Sequence, residues 1–168
     1  MHRVSADTLY KVKFELNGIS VEGFAEPRTL LTDFLRHQLG ATGTHVGCEH
    51  GVCGACTVQI DGEPARACLT LAVQVDGSSL KSVEGLTPEP GRLSIIQESF
   101  RKHHALQCGF CTAGILMSLD AFLKTHTHPG EDELREYLSG HICRCTGYGP
   151  IVAAALDAAA KLREGNDA

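Results

Sequence analysis

Eight cysteines constrain this chain more than any other feature, because their spacing sorts them into two groups of four. Cys48, Cys53, Cys56 and Cys68 are separated by four, two and eleven residues. The opening C-x4-C-x2-C is the plant-type spacing for a [2Fe–2S] cluster. The run Gly47-Cys48-Glu49-His50-Gly51-Val52-Cys53-Gly54-Ala55-Cys56 is rich in glycine. A loop that wraps a bulky anionic core and aims backbone N–H groups at its sulfurs needs the conformations glycine allows. The second group, Cys108, Cys111, Cys143 and Cys145, reads C-x2-C, thirty-one residues, then C-x-C. Four thiolates also suit tetrahedral zinc, and C-x2-C is a zinc motif, so zinc is the rival ligand, more so for the second group. In the first group three cysteines crowd one loop, where zinc sites usually set two close pairs apart.

Eight cysteines among 168 residues fall below the roughly 8–10% of a small disulfide scaffold. Met1 to Tyr10 lacks the basic-then-apolar order of an export signal, and the expectation is a cytoplasmic chain using its thiols for metal or redox chemistry. A formal charge of −5 argues against a nucleic-acid footprint. No apolar run approaches the roughly 18 residues of a membrane span. Two bound [2Fe–2S] clusters would take the chain to about −9, a charge that calls for partner surfaces and buried dipoles.

The two halves differ in texture, and the fold class read from them is α+β. Tyr10, Val12, Phe14 and Leu16 alternate with Lys11, Lys13 and Glu15, the period of a strand. Asn17-Gly18 then predicts a tight hairpin into a return strand at Ile19–Phe24. Thr29–Leu39 is the one helical stretch of this half, ended by Gly40. Cys56–Ile60 and Ala65–Leu69 flank Asp61-Gly62, a second hairpin that places Cys68 on its second strand. Leu80–Val83 supplies a fifth strand. Residues 1–84 are expected to form the first domain and 85–92, with two prolines and two glycines, a linker. Residues 93–168 are expected to form a four-helix bundle from Leu93–Leu106, Cys111–Lys124, Glu131–Ser139 and Ile151–Leu162. Cys108 then closes one helix, Cys111 opens the next, and Cys143 and Cys145 occupy the loop before the last. Helix N-termini there present partial positive charge to a cluster, and Arg144 adds a full one.

These residues carry a family resemblance. The strings Gly47-Cys48 through Cys53-Gly54-Ala55-Cys56-Thr57-Val58, Val83-Glu84-Gly85, Gln107-Cys108-Gly109-Phe110-Cys111-Thr112 and Cys143-Arg144-Cys145-Thr146-Gly147-Tyr148 resemble the small iron–sulfur subunit of molybdenum hydroxylases, the xanthine oxidase and carbon monoxide dehydrogenase family. The likeness runs from about Lys11 to Leu162. It implies a β-grasp ferredoxin domain followed by a four-helix bundle, with one [2Fe–2S] cluster on Cys48, Cys53, Cys56 and Cys68 and another on Cys108, Cys111, Cys143 and Cys145. It implies electrons running from a molybdenum–pterin centre to the helical-domain cluster, then to the ferredoxin-domain cluster, then to FAD. Gln107 and Cys145 would contact the pterin. A large molybdenum-binding subunit, a medium FAD subunit and a dimer of heterotrimers are the implied partners; in some members a cytochrome replaces FAD. Two positions depart from the family. Ala113 stands where proline is common after C-G-[YF]-C-T, and His141-Ile142 replaces Asn-Leu before Cys143.

No G-x-G-x-x-G, no G-x-x-x-x-G-K-[ST] and no Ser/His/Asp or paired-carboxylate arrangement stands out. Flavin and molybdenum are therefore expected on other subunits, and no catalytic residue on this chain. The rival of a different class is a zinc-stabilised interaction module without redox activity. Among the nine histidines, His50 is not needed as a ligand because four cysteines complete its site. His103 and His104 read as polar helix or interface residues, and His126 and His128 as solvated loop residues.

Overall fold

Asn17 and Gly18 both take positive φ, 53° and 81°, as a two-residue hairpin twisted like its strands requires. They join β1 (Tyr10–Leu16) to β2 (Ile19–Ala25). Asp61 and Gly62 do the same between β3 (Thr57–Ile60) and β4 (Glu63–Arg66). With β5 (Ser79–Lys81) these strands form one sheet in the order β2-β1-β5-β3-β4. β1 and β5 run parallel at its centre and the other pairs are antiparallel. This computed structural model describes residues 5, 6, 8–89 and 91–166. The reading of Met1–Tyr10 lies partly outside them, as do Pro90 of the expected linker and residues 167–168.

The alternation seen in the sequence sets the sheet's inner face. Val12, Phe14 and Leu16 are buried, and Leu31, Phe34 and Leu35 cover them. The covering segment is not the regular helix expected over Thr29–Leu39. It has one short α-turn, α1 (Leu31–Asp33), and then a π-turn at Phe34–Gln38 closed by Leu39 N–H to Phe34 O. The wider turn keeps the adjacent Phe34 and Leu35 both fully buried. Gly23 is required beneath it, since a Cβ there would stand 2.7 Å from the Phe34 ring.

The second half contains α2 (Ile95–Lys102), α3 (Thr112–Thr125), α4 (Glu131–Leu138) and α5 (Gly149–Asn166). Ser94 and Gln97 form a reciprocal cap on α2, and α4 opens on three acidic residues, the sign its N-terminus favours. Ile115, Met117, Leu119, Leu134, Leu138 and Ile151 fill a core closed by Ala154, Ala155 and Ala158. α2 is shorter than expected. His104 adopts positive φ and Ala105 N–H reaches back to Phe100 O, so Leu106 and Cys108 leave the helix and His103 only caps it. The 85–92 stretch is strapped down at its start. Leu86 enters the helical core, while Asn17 and Ser82 exchange two 2.9 Å hydrogen bonds beside it.

The halves meet across the face of β3. Gln59, only 2% exposed, donates to Met117 O (2.9 Å) and Asp120 Oδ2 (2.8 Å) on α3 and accepts from Lys124. Lys81 and Lys124 pair with Asp120 at 3.1 and 3.2 Å. Asp120's carboxyl is held below the usual range. Burial pushes the other way, but the Gln59 hydrogen bond and the two lysines outweigh it. Arg66 bonds Thr57 Oγ1 and Gly140 O, tying β4 to the turn after α4.

Candidate metal centres

The backbone reverses three times where the first cysteines sit. Glu49, Gly51 and Gly54 take φ of 58°, 82° and 76°, curling residues 47–56 so that N–H groups point inward. Cys48 Sγ accepts from Cys53 N–H at 3.4 Å. The N–H groups of Cys53, His50 and Val52 draw its pKa down to about 6, which favours the thiolate a metal requires. His50 bonds the Cys48 carbonyl through Nδ1, an orienting contact. Cys68 is not on a strand, as expected, but in a single 3-10 turn, Ala67–Leu69. The β3–β4 ladder ends at Thr57 and Arg66, and the chain then turns to bring Cys68 against Cys56. Both thiols are buried. Burial, with the neighbouring Cys68, pushes Cys56 up to about 11. Such a pair ionises only when a cation compensates it.

The second group forms where two loops converge at one end of the bundle. Cys108 and Cys145 are exposed, with sulfurs 3.4 Å apart, too far for a disulfide. Cys111, at the N-cap of α3, is buried and lies against Cys143; burial first, and then that neighbour, push it up to about 12. Cys143 goes the other way. Burial raises it, but the Thr146 hydroxyl and the N–H groups of Thr146 and Cys145 win. Tyr148 staples this loop: its hydroxyl accepts from Cys143 N–H and donates to His141 O, each at 2.8 Å. Thr146 and Tyr148 thus act on the site, although the sequence showed them only as part of a motif. Gln107 is exposed beside Cys108.

All eight thiols are free and stand as two pairs per group: Cys48 with Cys53 and Cys56 with Cys68, then Cys108 with Cys145 and Cys111 with Cys143. Paired thiols fit a binuclear core, with two sulfurs for each iron, better than a single tetrahedral zinc. The two groups also share a seam. Ile142 N–H donates to Cys53 O at 3.0 Å. The His45 ring stacks on Phe110 with centroids 5.0 Å apart and its Nδ1 lies 2.8 Å from Phe110 O. Gly54 packs under His141 and Gly114 under Gly54, with no room for a Cβ at either. His141 is buried, 2.8 Å from Ser118 Oγ, and burial together with the Arg66 charge lowers its pKa to about 4. A neutral ring therefore fills the seam at pH 7. His126 stacks on Phe122 and His128 is exposed, both away from the cysteines.

Comparison with known proteins accords with this geometry. Residues 14–81 match the 2Fe-2S iron-sulfur cluster binding domain and residues 82–156 the [2Fe-2S] binding domain. Caffeine dehydrogenase subunit gamma of Pseudomonas sp. (strain CBB1) is 53% identical over 146 residues, covering 85% of this chain and 87% of that protein. The chain belongs to the family of small iron–sulfur subunits of molybdenum hydroxylases. Nicotine 6-hydroxylase small subunit of Paenarthrobacter nicotinovorans is 49% identical over 156 residues, 93% of each chain. The structure of quinoline 2-oxidoreductase from Pseudomonas putida 86 superposes with a TM-score of 0.90 at 49% identity, over 94% of this chain and 98% of that one. The chain is therefore an oxidoreductase component with a β-grasp [2Fe–2S] domain followed by a helical one. No helix among the described residues is long and apolar enough to cross a membrane.

Proposed function

We propose that this chain is the electron relay of a molybdenum hydroxylase, carrying two [2Fe–2S] clusters. Cys48, Cys53, Cys56 and Cys68 hold one in residues 1–84. Cys108, Cys111, Cys143 and Cys145 hold the other in residues 93–168, with 85–92 as the connecting segment. The observation that carries this reading is the placement of two doubly paired thiol groups on either side of one hydrogen-bonded seam. When bound, each cluster supplies one reversible one-electron store.

The exposed face of the second group is the entry side in this reading. Gln107 and Cys145 meet the pterin of a large molybdenum-binding subunit there, and the exposed Leu106, Phe110 and Ile142 supply an apolar rim for docking. The exit side is the first group, where Val52 and Leu69 are exposed and a medium FAD-binding subunit takes the electrons. Assembly is as a dimer of heterotrimers in the cytoplasm, a setting that keeps cysteines reduced. The substrate class is a nitrogen heterocycle, a reading supported by relatives named for caffeine, nicotine and quinoline.

The test is Cys48→Ser in the assembled complex. Substrate reduces the molybdenum centre and the helical-domain cluster as before, and flavin reduction is lost. Flavin reduction at the native rate refutes the order of carriers.

A further inference from the structure

A cavity of about 570 Å³ opens in the helical half, between the 85–92 segment, the start of α2 and the far ends of α3 and α5. It lies away from the cysteines: Leu123, on its lining, is about 18 Å along α3 from Cys111. Its lining is mainly apolar. Leu86, Leu123 and Ala159 are buried there, and Leu93, Ile95 and Leu162 are half-buried. Three cations, Arg92, Lys124 and Arg163, line it against one carboxylate, Asp120. That surplus of positive charge stands on a chain whose formal charge is −5. Most of the polar lining is already committed. Lys124 pairs with Asp120 and donates to Gln59, the Ser94 hydroxyl is engaged with Gln97, and the Thr127 hydroxyl with His128. The two arginines are different. Among the described residues neither is in an ion pair. Arg163 gives one N–H to Thr127 O at 2.6 Å, which holds it in place with the rest of its donors unspent, and Arg92 is exposed.

We propose that this cavity binds a small amphiphilic carboxylate, with its apolar body over Leu86, Leu123 and Leu162 and its carboxylate held by Arg92 and Arg163. The volume falls within the roughly 300–1,000 Å³ of small-molecule sites, which pair an apolar lining with a few convergent polar groups. A guanidinium matches a carboxylate through two parallel N–H donors. The lining argues against other occupants. A cation meets the wrong charge, and a sugar or other polyol finds the lining hydroxyls already spent. A segment of a partner chain would lay backbone N–H and C=O groups over an apolar floor that offers them no hydrogen bonds. A single anionic head on an apolar body satisfies both the floor and the arginines. Bound there, it joins Leu86 and Arg92 of the 85–92 segment to α3 and α5, and so stabilises the folded helical half by mass action. The proposal is independent of the relay reading above, since it involves neither thiol group.

The experiment is calorimetric titration of the assembled complex with decanoate at pH 7. The expected result is saturable binding of one decanoate per copy of this chain. Octanoate, two methylenes shorter, should bind about 15-fold more weakly, at about fourfold per methylene. Decanol, which keeps the body and loses the charge, should bind at least about tenfold more weakly, and acetate should not bind measurably. Arg92→Gln changes an exposed side chain and leaves the fold intact. It should weaken decanoate about tenfold, leave decanol unchanged, and leave the rates of cluster reduction by substrate unchanged. Decanoate binding that does not saturate, decanol binding as tightly as decanoate, or an Arg92→Gln complex that binds decanoate at native affinity each overturns the proposal. So does an assembled complex that takes up no decanoate, the result expected if a partner's segment fills the cavity. Failure of the relay reading looks different, because it shows in the order of cluster reduction in the absence of decanoate and leaves the titration as it is.

Discussion

Gly114→Ala sets two known effects against each other. Gly114 lies inside α3, where alanine is favoured over glycine by about 1 kcal/mol in an open helix. Local propensity therefore predicts a more stable protein. The seam predicts the opposite. A Cβ at 114 would stand 3.0 Å from both the carbonyl carbon and Cα of Ala55, and closer still to Gly54 O. Ordinary carbon contacts lie near 3.5–4.0 Å, so the Ala55 contacts alone would part helix and loop by about 0.5–1 Å, and the 2.1 Å approach to Gly54 O demands more than that. The opposing atoms are backbone of the cysteine loop and cannot swing aside as a side chain can. Overpacking of this kind costs about 1–3 kcal/mol and sometimes more. The 2.1 Å approach to the Gly54 carbonyl oxygen puts Gly114→Ala at the upper end of that range, so with the propensity gain subtracted the expected net loss is about 2 kcal/mol. The strain falls on residues 54–56, so the first cluster should loosen before the second, although no cysteine has changed. Urea unfolding of the holoprotein measures the stability, and iron content with low-temperature EPR reports each cluster. A variant of equal or greater stability with both clusters fully loaded would show that the close approach does not constrain the loop.

Three further outcomes follow from the same structure. Gln59→Leu deletes a neutral and two charge-assisted hydrogen bonds at the seam and should cost about 2–4 kcal/mol, with the halves melting in two steps in calorimetry; a single unshifted transition would contradict it. Tyr148→Phe strips two hydrogen bonds from the Cys143 loop and should cost about 1–3 kcal/mol, with iron lost selectively from the helical half and measured by that cluster's EPR signal. Asp157 is held well below the usual carboxylate range by Lys102, Lys161 and Ser99. A depressed folded pKa contributes stability above the unfolded value of about 3.9, and that contribution fades as pH falls below it. Asp157→Asn should therefore lower stability at pH 7 and flatten the acid-side loss in a pH series of thermal unfolding; an unchanged acid slope would contradict this.

What could be read from the sequence followed from short-range rules. Asn17-Gly18 and Asp61-Gly62 marked both hairpins because two adjacent residues must take positive φ there. The alternation in β1 gave its buried face, and the apolar spacing of Cys111–Lys124 gave α3 to within a residue at each end. Cysteine spacing divided the thiols into their two groups before any contact was known. The errors arose where distant parts of the chain compete with local preference. Cys68 reads as a strand residue because its neighbours favour strands, but the ladder stops so that Cys68 can meet Cys56. Thr29–Leu39 has a helical pattern, yet it widens into a π-turn with Phe34 packed over Gly23. Leu86 reads as linker and is core. Gln59 has the composition of a solvent-facing strand position and is buried, because α3 covers β3. His141 reads only as a departure from a motif, and in three dimensions it fills the seam beneath which Gly54 must lack a side chain.

The chain's covalent order by itself set the cysteine spacing and marked most of the strands and helices, since spacing and local pattern depend on residues close in sequence. Only the packed molecule decided that the two thiol groups share a hydrogen-bonded seam. That seam joins positions about ninety residues apart, such as Cys53 and Ile142, and no local pattern encodes a contact whose energy exists only once both halves have folded and docked.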